Sequence, residues 1–286
     1  MATLYVTDLD GTLIRDDLSL SEWSRGRLIS LLEEGAPITI ATARSIVSLS
    51  AILGDIPFRL PVVEFNGAFL TDYQTRRHRI IRSIDADIVP ALHEMVLAAG
   101  SQPFLAAFDG ARDLLFSKGA INAGQQAYLE ERLQFRDGRL REVAALEEAF
   151  AHQVVCFSII DREAPLTALS QRIRSSFGSR LVCTQYAYRY FPGWYFLSVY
   201  DARATKDQAI RALVEMYSLQ ASDLVVFGDD VNDLGMFRIA TRALAPANAR
   251  PELKRVAHEV IGANGDDSVV RWISGHFIAE QAGPHA

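Results

Sequence analysis

Residues 3–14 read TLYVTDLDGTLI. An apolar run rich in strand formers, predicted as a buried strand over 4–8, ends in two acidic side chains spaced by two, Asp8 and Asp10. Side chains of extended backbone alternate faces, so Asp8 and Asp10 are expected on one side and Leu9 in the packing on the other. Two carboxylates in so small a space repel each other unless a cation or a proton lies between them. Gly11 then permits close backbone approach, and Thr12 supplies a hydroxyl to fix the loop.

Working outward, SLSEWSRGRLISLLEEG places Ser19 and Glu22 at capping-box spacing and Gly35 at a stop, which predicts a helix over about 20–34. ITIATA follows as a buried strand, then a helix over Ile46–Leu53, then the strand LPVVEF. Strands alternating with helices imply parallel pairing through right-handed crossovers, one half of a doubly wound sheet. From about residue 72 the pattern changes. YQTRRHRIIRSI reads as a hairpin leaving the sheet, DADIVPALHEMVLAAG as a helix ended by Gly100, NAGQQAYLEERL as a helix, and a further helix follows Pro165. PFLAAFDG, QVVCFSII, RLVCTQ and WYFLSVY read as strands. The earlier rhythm returns with the amphipathic KDQAIRALVEMY and the strand DLVVFGDD.

The expected fold class is therefore α/β, a doubly wound Rossmann-like parallel-sheet core over 1–84 and 201–286, interrupted by an inserted α+β cap domain over 85–200. In open α/β sheets the binding crevice lies beyond the carboxyl ends of the strands, so TDLD and FGDD can meet there although most of the chain separates them.

Composition narrows the function. A formal charge of −6 argues against a protein that tracks a nucleic-acid backbone, and Arg76, Arg77, Arg79 and Arg82 read as a solvated hairpin face. No apolar run reaches the length of a membrane span, and Asp8 and Asp10 interrupt any apolar leader, so neither a membrane segment nor a signal peptide is expected. Cys156 and Cys183 lack metal-ligand spacing and read as buried free thiols of a cytoplasmic protein. His78, His93, His152 and His258 lack partner spacing, and the aromatic run over 186–196 reads as packing within the cap.

Four pieces now stand in order: DLDGTL at 8–13, IATAR at 40–44, ATK at 204–206 and GDDVND at 228–233. Each alone fits an ordinary turn or surface residue; in this order, each at a strand end or a helix start, they carry a signal. Together they resemble the four motifs of the haloacid dehalogenase superfamily of phosphatases and phosphomutases. NGA at 66–68 and an insert between the second and third motifs resemble its Cof-type branch with a type IIB (C2) cap.

The resemblance implies a phosphatase acting on a small phosphorylated metabolite, with a sugar phosphate expected. Asp8 would be the nucleophile, forming an aspartyl-phosphate, and Asp10 the acid and base for the leaving alcohol and the attacking water. Mg²⁺ would be held by the Asp8 carboxylate, the Asp10 backbone carbonyl and the Asp229 carboxylate, with Asp233 ordering a metal water or pairing with Lys206. Thr42 and Lys206 would contact the phosphate, and Gly11, Arg44, Asn66, Gly67 and Asn232 would line the substrate crevice; Asp230 has no assigned role.

The chain departs from the family pattern at Ala43, where glycine is usual, and at Asp207, which adds charge beside Lys206 or favours a helix start. It also departs at Ser198, where a cap strand often carries glutamate, and in DARAT, which lacks the usual glycine. A phosphomutase shares every motif, and a non-catalytic metabolite sensor is expected to lose Asp8 or Asp10. The oligomeric state is not legible.

Overall fold

The computed structural model describes residues 3–217 and 223–282. They form two compact units, one comprising 1–80 with 205–286 and the other 81–204. The divisions fall at 80/81 and 204/205 because Ile84 lies in the hydrophobic core of the second unit and donates its N–H to the Val154 carbonyl. Asp201 is likewise still paired with Leu181 in that unit's sheet.

The first unit begins with β1 (Leu4–Thr7), α1 (Glu22–Glu33), β2 (Ile38–Ile40), α2 (Ile46–Leu53), β3 (Val62–Glu64), β4 (Phe69–Thr71) and β5 (His78–Ile81). α1 is capped by Ser21, whose side chain accepts the Ser24 N–H. The expected cap, Ser19, is instead bound to the Asp17 carboxylate through both its N–H and its hydroxyl. β3 belongs to a three-stranded sheet with β4 and β5 and meets the main sheet through the single parallel bridge Ala41–Val63. The chain turns back at once through Phe65–Gly67, so the third parallel strand stays short.

The inserted unit runs α3 (Val89–Ala98), β6 (Pro103–Phe108), β7 (Asp113–Ser117), α4 (Ala123–Gln134), β8 (Leu140–Glu142), β9 (Gln153–Asp161), α5 (Glu163–Phe177), β10 (Leu181–Ala187) and β11 (Tyr195–Asp201). Its six-stranded sheet has the order β10-β11-β9-β6-β7-β8, antiparallel except for the β7–β8 pair. β7 and β8 escape the sequence reading. β7 turns back from β6 through Asp109–Arg112, where Gly110 takes a positive φ and the Asp109 carboxylate accepts the N–H groups of Ala111 and Arg112. The aromatic run packs internally, with Tyr186 stacked on Phe196 and Trp194 on Phe191. Both cysteines are buried and free, and burial pushes the Cys156 thiol up to about 12.

The chain then returns to the first unit with α6 (Lys206–Met216), β12 (Leu224–Phe227), α7 (Leu234–Ile239), β13 (Arg242–Pro246), α8 (Pro251–Lys254), β14 (Glu259–Ile261) and α9 (Ser268–Ala282). The main sheet is parallel throughout, in the order β14-β13-β12-β1-β2. β1 shows why helices cover both faces. Tyr5 points into a core built with Leu28, Leu31, Leu49 and Ile273, while Leu4 and Val6 point into another built with Ile210, Leu213, Met236 and Leu253. No helix among the described residues is long and apolar enough to cross a membrane.

Gly124 in α4 lies so close to the Trp194 ring that a Cβ would meet it at 2.5 Å, and the indole is held from another side by the Arg162 guanidinium at 4.0 Å. Overpacking of this kind costs about 1–3 kcal/mol, more than the few tenths that Val gains over Gly in helix propensity. Gly124→Val is expected to lower the melting temperature by several degrees in a thermal unfolding scan.

Candidate active site

β1 lies between β12 and β2, with Thr7 paired to Phe227 and to Ile40. All three strands run the same way, so the loops bearing Asp8, Asp229 and Thr42 leave the sheet at the same end. The Asp8 N–H continues the ladder to the Phe227 carbonyl at 2.9 Å, and the Leu9 side chain is fully buried, as the alternation predicts.

Asp8, Asp229 and Asp233 come together, each offering a carboxylate oxygen within 4.8 Å of the others, and all three are buried. Into this cluster α6 projects Lys206 from its first position, and the ammonium donates to Asp8 Oδ1 and to Asp233 Oδ1, each at 2.6 Å. Asp233 Oδ2 accepts the backbone N–H groups of Asp229 and Asp230 at 3.0 and 3.1 Å. Asp230 caps the turn that carries Asp233, and its carboxylate pairs with Arg250 at 3.2 Å. Gly228 is required here, since a Cβ would stand 2.6 Å from the Asp233 side chain. The Thr12 hydroxyl donates to Asp229 Oδ1 at 3.3 Å and so links the two acidic loops.

Burial raises the Asp8 carboxyl well above the usual carboxylate range; Lys206 pulls it down, and Asp233 and Asp229 push it up again. Burial works against the charged Lys206, yet Asp233 and Asp8 more than reverse this and hold its pKa above the ordinary lysine value. Within the cluster three carboxylates face one ammonium, a surplus of two negative charges that a divalent cation would offset. The donors are all hard oxygens, which suits a cation of the Mg²⁺ or Ca²⁺ type.

Asp10 stands apart from this cluster. Asp10 is not among the three carboxylates that gather here; its carboxylate is bound by Arg44, whose Nε and Nη2 donate to its two oxygens at 2.7 and 2.8 Å. The carboxylates that crowd Asp8 come instead from the distant GDDVND segment. The strand ends at Thr7, and the Leu9 carbonyl accepts the N–H groups of Thr12, Leu13 and Ile14, so the chain has already turned when it reaches Asp10.

The remaining expected residues sort by contact. Thr42 is buried, its carbonyl accepts the Asn66 N–H at 2.9 Å and its hydroxyl accepts the Arg44 N–H at 3.1 Å. Asn66, in the left-handed region with φ 55°, accepts the Asn232 amide at 3.1 Å, so two predicted crevice residues meet. Gly67 packs against backbone. A Cβ there would lie 2.4 Å from the Thr205 carbonyl oxygen, one residue before Lys206. Gly11 takes a φ of 76°, and Asp207 sits in the first turn of α6 against Gly235. Sequence reasoning missed Glu64, buried at the start of α2 where it accepts the Ile46 N–H, and Asn248, which donates to the Gly11 carbonyl at 2.7 Å. Neither carries a motif; each is found only through the loop it serves.

A family model described as haloacid dehalogenase-like hydrolase matches residues 5–273. The chain belongs to that family. Among curated relatives, the 5-amino-6-(5-phospho-D-ribitylamino)uracil phosphatase YwtE of Bacillus subtilis is 24% identical, covering 93% of this chain and 95% of its own. The HMP-PP phosphatase of Cronobacter sakazakii is 27% identical, covering 88% and 87%. A haloacid dehalogenase-like hydrolase from Bacteroides thetaiotaomicron superposes with a TM-score of 0.78 at 20% identity over 97% of this chain and 100% of its own, a likeness of fold. This family member is an enzyme of the phosphoric monoester hydrolase class, with the α/β core and inserted cap expected of the Cof-type branch.

Because the Asp8 carboxyl is raised in the folded state, it adds stability below the unfolded carboxylate value, and that contribution is lost as pH rises through the raised folded pKa. Without divalent cation, the melting temperature of Asp8→Asn relative to wild type is therefore expected to be higher at pH 8 than at pH 5. Divalent cation should raise the wild-type melting temperature at pH 8. A gap independent of pH, read by thermal unfolding of both proteins, would contradict the assignment.

Proposed function

We propose that this hydrolase removes phosphate from a small phosphorylated metabolite, with a sugar phosphate as the expected class, through an aspartyl-phosphate on Asp8 and with Mg²⁺ as cofactor. The observation that carries the reading is the buried convergence of Asp8, Asp229 and Asp233 with Lys206 at the carboxyl ends of parallel strands. Substrate names of the relatives support the class, since both YwtE and the HMP-PP phosphatase are named for phosphorylated small molecules. Buried free thiols are in keeping with a cytoplasmic setting.

Mg²⁺ would be held by the carboxylates of Asp8 and Asp229 and the Asp10 carbonyl, with Asp233 beside it, and would supply positive charge that lets an anionic carboxylate approach an anionic phosphate. Lys206 engages Asp8 Oδ1 and so helps to orient the attacking carboxylate. As the P–O bond to Asp8 forms, the bond to the leaving oxygen breaks, and Asp10, which enters this step protonated and turned from Arg44, hands that oxygen its proton. Asp10 then takes a proton from the water that attacks the aspartyl-phosphate, releasing phosphate and restoring the Asp8 carboxylate. Lys206 and the Thr42 hydroxyl hold the transferred phosphoryl oxygens. Arg44 holds Asp10 in the resting state and must share it when Asp10 turns to the leaving oxygen. Asn66 and Asn232, bonded to each other, and Gly11 and Gly67 border the crevice.

Asp8→Asn is expected to reduce phosphate release at least about a thousandfold, and Asp10→Asn by about 10²–10⁴-fold. Chelation should abolish turnover and Mg²⁺ restore it. The assay is phosphate release over a panel of phosphorylated sugars, polyols, nucleotides and cofactors. Isomerised substrate without free phosphate would identify a mutase, and full activity of Asp8→Asn would remove the mechanism.

A further inference from the structure

The segment 247–250, between β13 and α8, touches both acidic loops. Asn248 Nδ2 donates to the Gly11 carbonyl at 2.7 Å, inside the loop that carries Asp8 and Asp10. Two residues on, the Arg250 N–H donates to the carbonyl of Asp229 at 2.9 Å. One short segment thus holds the two loops whose carboxylates form the cluster, through a side chain at Asn248 and through backbone at Arg250. Asn248 is itself fixed, because its Oδ1 accepts the N–H of Asn264 at 2.9 Å. The buried Asn264 in turn donates through Nδ2 to the Ile14 carbonyl at 2.9 Å, at the far end of the same loop. Every polar atom of the Asn248 amide that the geometry uses points at a loop carbonyl or at the group that orients it.

Asn248 is exposed, and no core contact explains it. Its side chain serves the fold only through these two hydrogen bonds, so truncating it acts first on the loops they hold. The Gly11 carbonyl is different, because it belongs to a buried, left-handed turn that immediately follows Asp10. Fixing that carbonyl fixes the turn, and the Arg250 bond fixes the opposing loop from the same segment. We propose that Asn248 is a positioning residue that sets the spacing of the Asp8 loop from Asp229, and with it the affinity of the site for a divalent cation. The inference rests on the proposed Mg²⁺-dependent phosphatase reading.

Groups that orient metal ligands from outside the ligand shell typically change metal affinity by 10–100-fold when removed. The test is a Mg²⁺ titration of wild type and Asn248→Ala by calorimetry, alongside the melting temperature of each protein without metal. Asn248→Ala is expected to raise the Mg²⁺ dissociation constant about tenfold while the metal-free melting temperature stays within about 2 °C of wild type. A dissociation constant within about twofold of wild type would overturn the proposal, as would a weakened affinity matched by a lower metal-free melting temperature, which marks a merely structural role. A wild-type protein that binds Mg²⁺ but releases no phosphate from any compound tested would remove the proposed activity and leave the comparison of affinities to decide on Asn248. A wild-type protein that binds no Mg²⁺ would overturn both.

Discussion

A lysine ammonium lies buried between two carboxylates, and the catalytic end of the core is arranged around that contact. Removing Lys206 from water costs several kcal/mol, which two bonds of 2.6 Å to Asp8 and Asp233 offset only because the remaining lone pairs of Asp233 are also satisfied, by the N–H groups of Asp229 and Asp230. Those N–H groups are available because Asp230 starts a tight turn that swings Asp233 back under its own loop. Gly228 leaves the room. The four-residue spacing from Asp229 to Asp233 is thus a requirement of the lysine as much as of any cation.

Topology supplies the rest at little local cost. β1 sits inside the sheet with parallel neighbours on both sides, so the chain reaches the same end of the same sheet whenever it leaves β1, β2 or β12. The insertion lies between β5 and α6 and leaves this register untouched. On return, Thr205 packs against Gly67 before α6 begins. That close approach fixes where the helix starts and so how deep Lys206 reaches.

The doubly wound core was legible because its strands are short apolar runs and its helices carry the helical period, signals set by burial on both faces. Asp8, Lys206, Asp229 and Asp233 were legible because they stand at element ends in a known order. What the sequence hid is contact through backbone. Asn248 and Arg250 act on carbonyls of residues they do not resemble or neighbour, so no residue-type pattern marks them; Gly67 stands in the NGA motif, but its close packing on Thr205 shows only in the contact. β7 and β8 were hidden for another reason. β8 is the edge strand, and its three partly exposed residues LRE have no apolar periodicity to read; β7, DLLFS, lies between β6 and β8 as a short buried run with no alternation to mark it as a strand.

The pairing of Asp8 with Asp10 shows why strand alternation alone misleads at a strand's end. Two-residue periodicity holds only while the backbone stays extended; here the strand ends at Thr7, Leu9 still falls in the core of Tyr5, and the alternation fails at Asp10. Leu9, anchored in the core and capped by three N–H groups on its carbonyl, is the pivot about which the chain turns. On one side of it Asp8 enters a dry cluster with Lys206; on the other Asp10, half-buried, meets a guanidinium. One motif thereby delivers two carboxylates into environments of opposite character, a buried one crowded by like charge and a wetter one tethered to arginine. Chemically identical groups given different surroundings can take different parts in one reaction, and the turn at Leu9 separates a nucleophile from a proton carrier only two residues away.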